Sequence, residues 1–254
     1  MKGFLIRLVD VYKNFNSLRV LNGINIDIRK GETFVIMGES GSGKSVILKH
    51  IIGILHPDKG QVLFDAMEIP RLEPLALAKV RQRFGMVFQG SALFDSMTVA
   101  ENVSFGLHTH TDLGEDKIIG IVKEKLRLVG LTGVENKMPA ELSGGMKKRV
   151  GIARAIAMNP EVILYDEPTA GLDPIMSDVI SELIVRVQKT SQATSVVVTH
   201  DLKSAYKIAT EIGVLNNGVI IEQGTAQEIQ KTKNPFVAQF IHGEARDRIE
   251  EMMG

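Results

Sequence analysis

The octet Gly38-Glu39-Ser40-Gly41-Ser42-Gly43-Lys44-Ser45 constrains this chain more than any other segment, and it fits G-x-x-x-x-G-K-[ST]. A short apolar run, Thr33 to Met37, leads into it, and Val46 to Leu55, of helical length and composition, follows it. Strand, glycine loop and helix in that order admit few folds, because the loop has to join a buried strand to the amino end of a helix. The glycines let the backbone turn tightly, so that successive N–H groups point inward at an anion. The helix adds roughly half a positive charge at its amino end. In that setting Lys44 reaches the β- and γ-phosphates of a nucleotide and the Ser45 hydroxyl ligates Mg²⁺. The plain alternative is a glycine turn with a chance lysine, and the correct flanks on both sides disfavour it. Taken alone, the octet leaves kinases, GTPases and helicases open.

The chain has 254 residues, enough for one large α/β domain or two small ones. With 44% hydrophobic residues it can bury a sizeable core. Lys and Arg number 30 against 30 Asp and Glu, which argues against a chain built mainly to hold nucleic acid. No cysteine is present, which excludes disulfides and thiolate metal sites. The opening segment does not read as a signal peptide, since Arg7, Asp10 and Lys13 interrupt a short apolar run. Nowhere do 18 apolar residues run together, so any membrane role is expected to go through a partner.

Alternation predicts strands at Phe4–Val11 and Val20–Ile28. His56 to Gly60 reads as a turn, and Met86-Val87-Phe88 as a short strand. Residues from about 90 to 160 read as an inserted helical subdomain, with helices at Glu115–Val129 and Ser143–Met158. The chain then returns to α/β. Strands are expected at Val162–Tyr165, Ser195–Thr199 and Ile212–Leu215, and helices at Val179–Val187 and Lys203–Ala209. Asn216-Asn217-Gly218 is a hairpin turn signal. Strands alternating with helices imply a largely parallel sheet covered on both faces.

Three further signals narrow the choice. Leu142-Ser143-Gly144-Gly145-Met146 opens a helix that continues Lys147-Lys148-Arg149. Val162 to Asp166-Glu167 is an apolar strand ending in two acids, and His200 follows the strand Ser195–Thr199. In these residues the chain resembles the ABC (ATP-binding cassette) ATPases, from Phe4 to about Phe240. Ser143, Gly144 and Gly145 make a second anion site of N–H groups and a hydroxyl at a helix amino end. Alone they would pass for an ordinary N-cap. Asp166 ends a buried strand, where a carboxylate is costly unless it meets a cation, and Mg²⁺ is the natural partner. Glu167, one residue on, points elsewhere and is placed to act as general base on water.

The resemblance implies an α/β P-loop core of mixed, largely parallel sheet with an antiparallel β portion. It implies one ATP-binding domain over residues 1–241 and a tail over 242–254. It makes Gln89 a ligand to Mg²⁺ or water that links the core to the helical subdomain. It makes His200 a contact of the γ-phosphate and Ala170-Gly171-Leu172-Asp173 a loop across a dimer interface. It implies two copies paired head to tail, each signature capping the ATP on the other's glycine loop. Phe15 lies 29 residues before Lys44, where the family places an aromatic that stacks on adenine; it could equally be a core residue. His108 and His110 find no third ligand and read as a loop. Met146 and Val46 depart from the commonest family pattern, yet leave the phosphate-facing N–H groups intact.

Phe88 to Val99, the Met-containing signature and Gly43 to Val46 are similar to the ATPases of bacterial Mce-associated transporters, which move phospholipids between membranes. That implies a permease partner, a lipid-binding Mce-type component and a place on the cytoplasmic face of the inner membrane. The apolar patch Ala92, Leu93, Phe94, Met97, Val99 and Val103 would receive a permease helix, or else pack internally. The tail from Asn234, with Phe236, Phe240 and Ile241 and then Met252-Met253, docks on its own domain or on the opposing subunit. A small-solute importer is the alternative within transport. A soluble ABC ATPase without a transport role is disfavoured by the single cassette and the balanced charge.

Overall fold

The computed structural model describes residues 3–243. In chain order the elements run β1 (Phe4–Phe15), β2 (Leu18–Arg29), β3 (Thr33–Gly38), α1 (Lys44–Ile51), β4 (Lys59–Phe64), β5 (Met67–Glu68), α2 (Pro74–Arg81) and β6 (Phe84–Val87). Then come α3 (Val99–His110), α4 (Glu115–Leu128) and α5 (Gly144–Ile156). The chain continues through β7 (Val162–Asp166), α6 (Pro174–Ser191), β8 (Thr194–Thr199), α7 (Leu202–Ile208), β9 (Glu211–Asn216), β10 (Val219–Gly224), α8 (Ala226–Gln230) and α9 (Pro235–His242).

The strands form a largely parallel sheet and a separate antiparallel one, as the resemblance implies. An antiparallel sheet has the order β2-β1-β4-β5, and a six-stranded sheet has the order β10-β9-β3-β8-β7-β6. In the larger sheet β9, β3, β8, β7 and β6 run parallel, and β10 returns antiparallel beside β9. The hairpin between β9 and β10 turns on Asn217 and Gly218, both at positive φ (47° and 74°), as its sequence requires. Gly218 also ties the sheets together: its carbonyl accepts from Asn22 N–H at 2.8 Å.

The continuous apolar runs of β3, β7 and β8 have a direct cause: both faces of these strands are buried. Phe34, Ile36, Leu164, Val196 and Val198 pack with Leu8, Val11, Phe64 and the α1 residues Ile47 and Ile51. On the other face Val35, Met37, Ile163, Tyr165 and Val197 pack with Val150, Ile180 and Ile184 of the helices. Burial of each such side chain stabilises by about 1.5–3 kcal/mol. The inner strands are thereby fixed in register, and their carboxyl ends are held level on one edge.

Several boundaries differ from the sequence reading. α1 begins at Lys44 and stops at Ile51, because Gly53 turns left-handed (φ 72°) and the N–H groups of Ile54 and Leu55 fold back on the Lys49 carbonyl. α3 was not anticipated; Thr98 and Glu101 form a reciprocal capping box at its start, a signal present in the sequence. His108 and His110 therefore lie in the last turn of a helix, not in a loop. In the tail, α9 docks on its own domain: Val237 is buried, and Phe240 and Ile241 pack against the helical-side core. Met252 and Met253 lie outside the described residues.

α5 meets β6 closely enough that a Cβ on Gly85 would stand 2.2 Å from the Ala155 carbonyl oxygen. Gly120, on an exposed turn of α4, has open space around the same position. Gly85→Ala is expected to destabilise by about 1–3 kcal/mol through overpacking. Gly120→Ala is expected to stabilise by about 0.5–1 kcal/mol through helix propensity. Denaturant midpoints for the two variants check this, and equal shifts would contradict the close approach of α5 and β6.

Candidate functional site

The glycine loop leaves the end of β3 and enters α1 through Gly41 and Gly43, both at positive φ (82° and 102°). Gly38 admits no side chain, since an added Cβ would lie 2.5 Å from the Leu215 carbonyl oxygen. The loop wraps the Lys44 ammonium, which is almost wholly buried. Nζ donates to the carbonyls of Gly38 (2.8 Å) and Glu39 (2.9 Å) and lies 3.4 Å from Glu167 Oε1. Ser45 begins α1 beside it, and its hydroxyl donates to Asp166 Oδ1 at 2.7 Å.

Asp166 and Glu167 end β7 differently. Asp166 still pairs with β8, opposite Val198. Glu167 turns out of the strand at φ 46°, a left-handed conformation that costs a non-glycine residue about 1–3 kcal/mol. Its N–H donates to the Val198 carbonyl at 2.9 Å, which holds the turn. The kink sends the two carboxylates to different partners, Asp166 to Ser45 and Glu167 to Lys44 and His200. His200 Nδ1 lies 2.9 Å from Glu167 Oε2, and the His200 N–H points at the same oxygen from 3.4 Å.

These groups open on a cleft of about 420 Å³ lined by Phe15, Val20, Ser40, Gly41, Gly43, Lys44, Ser45, Val46, Gln89, Glu167 and His200. Phe15 is half exposed at its rim, and Lys13 Nζ stands 5.7 Å from its ring centroid. Lys13 is itself anchored to Asp58 (2.8 Å) and the His56 carbonyl (2.9 Å). Glu39 and Ser42 lie on the other side of the loop, where with Ser40 and Gly41 they line a second hollow of about 310 Å³. Of the residues expected to hold nucleotide, Gly38, Ser143, Gly144 and Gly145 are not among those lining either hollow. Ser143 caps α5, its hydroxyl accepting from Met146 N–H at 3.3 Å, and Gly145 packs against Met176.

The arrangement suits a phosphate with a divalent cation. A buried ammonium satisfied only in part by main-chain carbonyls is poised to exchange them for phosphate oxygens. Ser45 Oγ and Asp166 Oδ1 are hard oxygen donors already in contact, the pair a Mg²⁺ ion would separate and bind, with Gln89 at the same cleft. No cluster of three or more His, Cys, Asp or Glu side chains able to hold a metal occurs among the described residues.

Two groups at the site escaped the sequence reading. Lys148 of α5 is buried and donates to the carbonyls of Gln89 (2.5 Å) and Glu167 (3.4 Å). Asp201, next to His200, caps α7 and joins Thr169 to Ser204 through Oδ2. Asp201 carried a readable capping signal; Lys148 sits in a charged triplet that reads as solvated surface. The apolar patch after Gln89 divides between the two readings open to it. Val99 and Val103 are fully buried in the core. The exposed groove, about 640 Å³, instead takes Phe84, Met86, Phe88, Phe105 and Met158 together with Ala92 and Phe94.

A glycine loop at the end of a parallel strand, its lysine and serine facing two carboxylates at the end of another, defines a P-loop nucleotide-binding protein. More narrowly, the chain belongs to the ABC transporter family, whose model matches residues 21–170. It is 42% identical over 226 residues to the intermembrane phospholipid transport ATP-binding protein MlaF of Haemophilus influenzae, covering 89% of this chain and 86% of that one. It is 40% identical over 241 residues to the probable ribonucleotide transport ATP-binding protein mkl of Mycobacterium leprae, covering 95% and 70%. Among solved structures, cbiO1 of Clostridium perfringens, part of an ABC transporter complex, superposes with a TM-score of 0.84 at 33% identity, covering 99% of each chain. A dimeric ATP-binding cassette with ADP and Pi bound superposes with a TM-score of 0.81 at 32% identity, covering 88% and 99%.

Phe15 offers a π-face with no donor or acceptor for a base edge. Phe15→Ala is expected to weaken nucleotide binding by roughly 5- to 150-fold, the range of about 1–3 kcal/mol for base stacking. Titration calorimetry with ATP measures it, and unchanged affinity would return Phe15 to a packing role.

Proposed function

We propose that this chain is the ATP-hydrolysing subunit of a transporter that moves phospholipids between bacterial membranes. The observation that carries the hydrolytic part is the position of Glu167, whose two carboxylate oxygens are divided between Lys44 and His200. In this reading the phosphates draw Lys44 away, which frees Oε1 to take a proton from water while His200 holds Oε2. The twisted backbone at Glu167 keeps that carboxylate clear of Asp166. Mg²⁺, held by Ser45, Asp166 and Gln89, would neutralise phosphate charge. Main-chain N–H groups from Gly38 to Ser45 would cradle the phosphates, and Phe15 would stack on adenine.

Ser143, Gly144 and Gly145 then serve the site of a second copy, paired head to tail. Their position outside their own chain's cleft supports this. We assign residues 1–241 to one ATP-binding domain, with a helical subdomain at about 90–160. No helix among the described residues is long and apolar enough to cross a membrane, so the lipid path belongs to partners. The groove at Phe84, Phe88, Phe94 and Phe105 would dock an integral membrane permease on the cytoplasmic face of the inner membrane, with an Mce-type lipid-binding component in the same complex. Exposed apolar surface of this kind marks an interface.

The lipid reading is supported by the similarity to MlaF, a phospholipid transport protein by name. A small-solute importer is the second reading, favoured by the similarity to mkl, named for ribonucleotide transport. Two measurements bear on these claims. Glu167→Gln should retain ATP binding while turnover falls about 10²- to 10⁴-fold, the usual worth of a general base; hydrolysis near the wild-type rate would remove Glu167 from that role. For cargo, the complex purified with its permease should be assayed in phospholipid vesicles for transfer of labelled lipid. ATP-dependent transfer supports the lipid reading. Stimulation by ribonucleotides or another small solute, without lipid transfer, replaces it with the importer.

A further inference from the structure

α5 opens with Ser143, at the end expected to meet the phosphates of a second copy, and Lys148 follows about one and a half turns later. Lys148 is 6% exposed, although its neighbours in sequence, Lys147 and Arg149, are charged as well. Burying an ammonium is costly, and no salt bridge to Lys148 relieves the cost among the described residues. Nζ goes instead to two main-chain oxygens, the Gln89 carbonyl at 2.5 Å and the Glu167 carbonyl at 3.4 Å. Burial lowers its pKa, and the nearby charges of Glu167 and Asp166 oppose that effect.

Those two carbonyls belong to different parts of the site. One is on the loop after β6 that brings Gln89 to the cleft; the other is at the kink after β7 that aims the Glu167 side chain. A second residue of α5, Arg154, holds the same loop further on, donating to the carbonyls of Ser91 (2.9 Å) and Ala92 (2.7 Å), whose residues are both left-handed (φ 62° and 47°). Arg154 thus grips the loop alone, whereas Lys148 joins the loop to the kink.

We infer that Lys148 is a positioning residue that ties the signature helix α5 to both Gln89 and Glu167, so that these two groups take their places together when α5 is set. It is not among the residues that line the cleft, and it acts through the main chain of two that are. The inference rests on the ATP-hydrolysing reading of the cleft. Loss of Lys148 should therefore lower kcat and leave ATP affinity alone, whereas a residue that only stabilises the fold would lower the amount of native protein and not the turnover of what remains.

The test compares Lys148→Met, which keeps the stem and removes the donor, with Lys148→Gln, which keeps a donor without charge. Arg154→Met serves as the comparison that loosens the loop only. Steady-state ATPase activity, ATP affinity by titration calorimetry and the thermal midpoint are measured on each and on the wild type. The expected result is a loss of at least 10-fold in kcat for Lys148→Met with ATP affinity within about 3-fold of wild type, partial recovery in Lys148→Gln, and a smaller loss in Arg154→Met. If Lys148→Met does not fold, Lys148→Gln decides alone: reduced kcat with retained affinity supports the inference. Wild-type kcat in the folded variants, or a fall matched by an equal loss of affinity, overturns it. A wild-type protein that binds ATP and does not hydrolyse it refutes the hydrolytic reading instead, which separates the two failures.

Discussion

A lysine ammonium enclosed by its own glycine loop is the constraint on which the rest of this structure depends. Lys44 has three donors and little access to water, and it meets two carbonyls and one carboxylate. That environment is adequate for the charge but not closed to a better one, since phosphate oxygens offer stronger, charge-assisted bonds. The loop reaches this geometry only with glycine at the positions that turn left-handed or press against the neighbouring strand. It stays there because β3 is buried on both faces and fixed between β8 and β9.

The parallel sheet turns that local constraint into a site. β3, β7 and β8 end on the same edge, so the loop after each delivers one part: Lys44 and Ser45, then Asp166 and Glu167, then His200. The strained turn at Glu167 separates two adjacent acids and gives them different tasks. On the helical side, Lys148 and Arg154 attach α5 to the loop that carries Gln89. The signature serine caps the start of that same helix and is not among the residues that line its own cleft.

Legibility in the sequence followed locality. The glycine loop, the Asp166-Glu167 strand end, the signature and the Asn217-Gly218 hairpin are contiguous patterns whose chemistry acts within a few residues, and each lies where its pattern implied. Phe15 could be assigned to the cleft only by resemblance, since its position depends on a sheet formed with residues far along the chain. α3 had a readable start at Thr98 and Glu101, yet the sequence left open whether Val99 and Val103 meet a permease helix or pack internally, because apolar residues on a short helix do not declare which face is covered. Lys148 left no signal. A lysine between two basic neighbours is ordinarily solvated, and only the packing of α5 on β6 shows that it is buried on main-chain oxygens. The antiparallel sheet was expected only through the resemblance, because pairing between distant strands leaves no mark in either strand alone.

The contact between Ser45 and Asp166 is where the account is most directly exposed. A crystal of the protein with a non-hydrolysable ATP analogue and Mn²⁺, examined by anomalous scattering, locates the metal without reference to activity. One strong peak is expected between Ser45 Oγ and Asp166. Lys44 is expected to leave the Gly38 and Glu39 carbonyls for phosphate oxygens. A metal bound elsewhere, with the Ser45–Asp166 hydrogen bond and the Lys44 contacts unchanged, would contradict it.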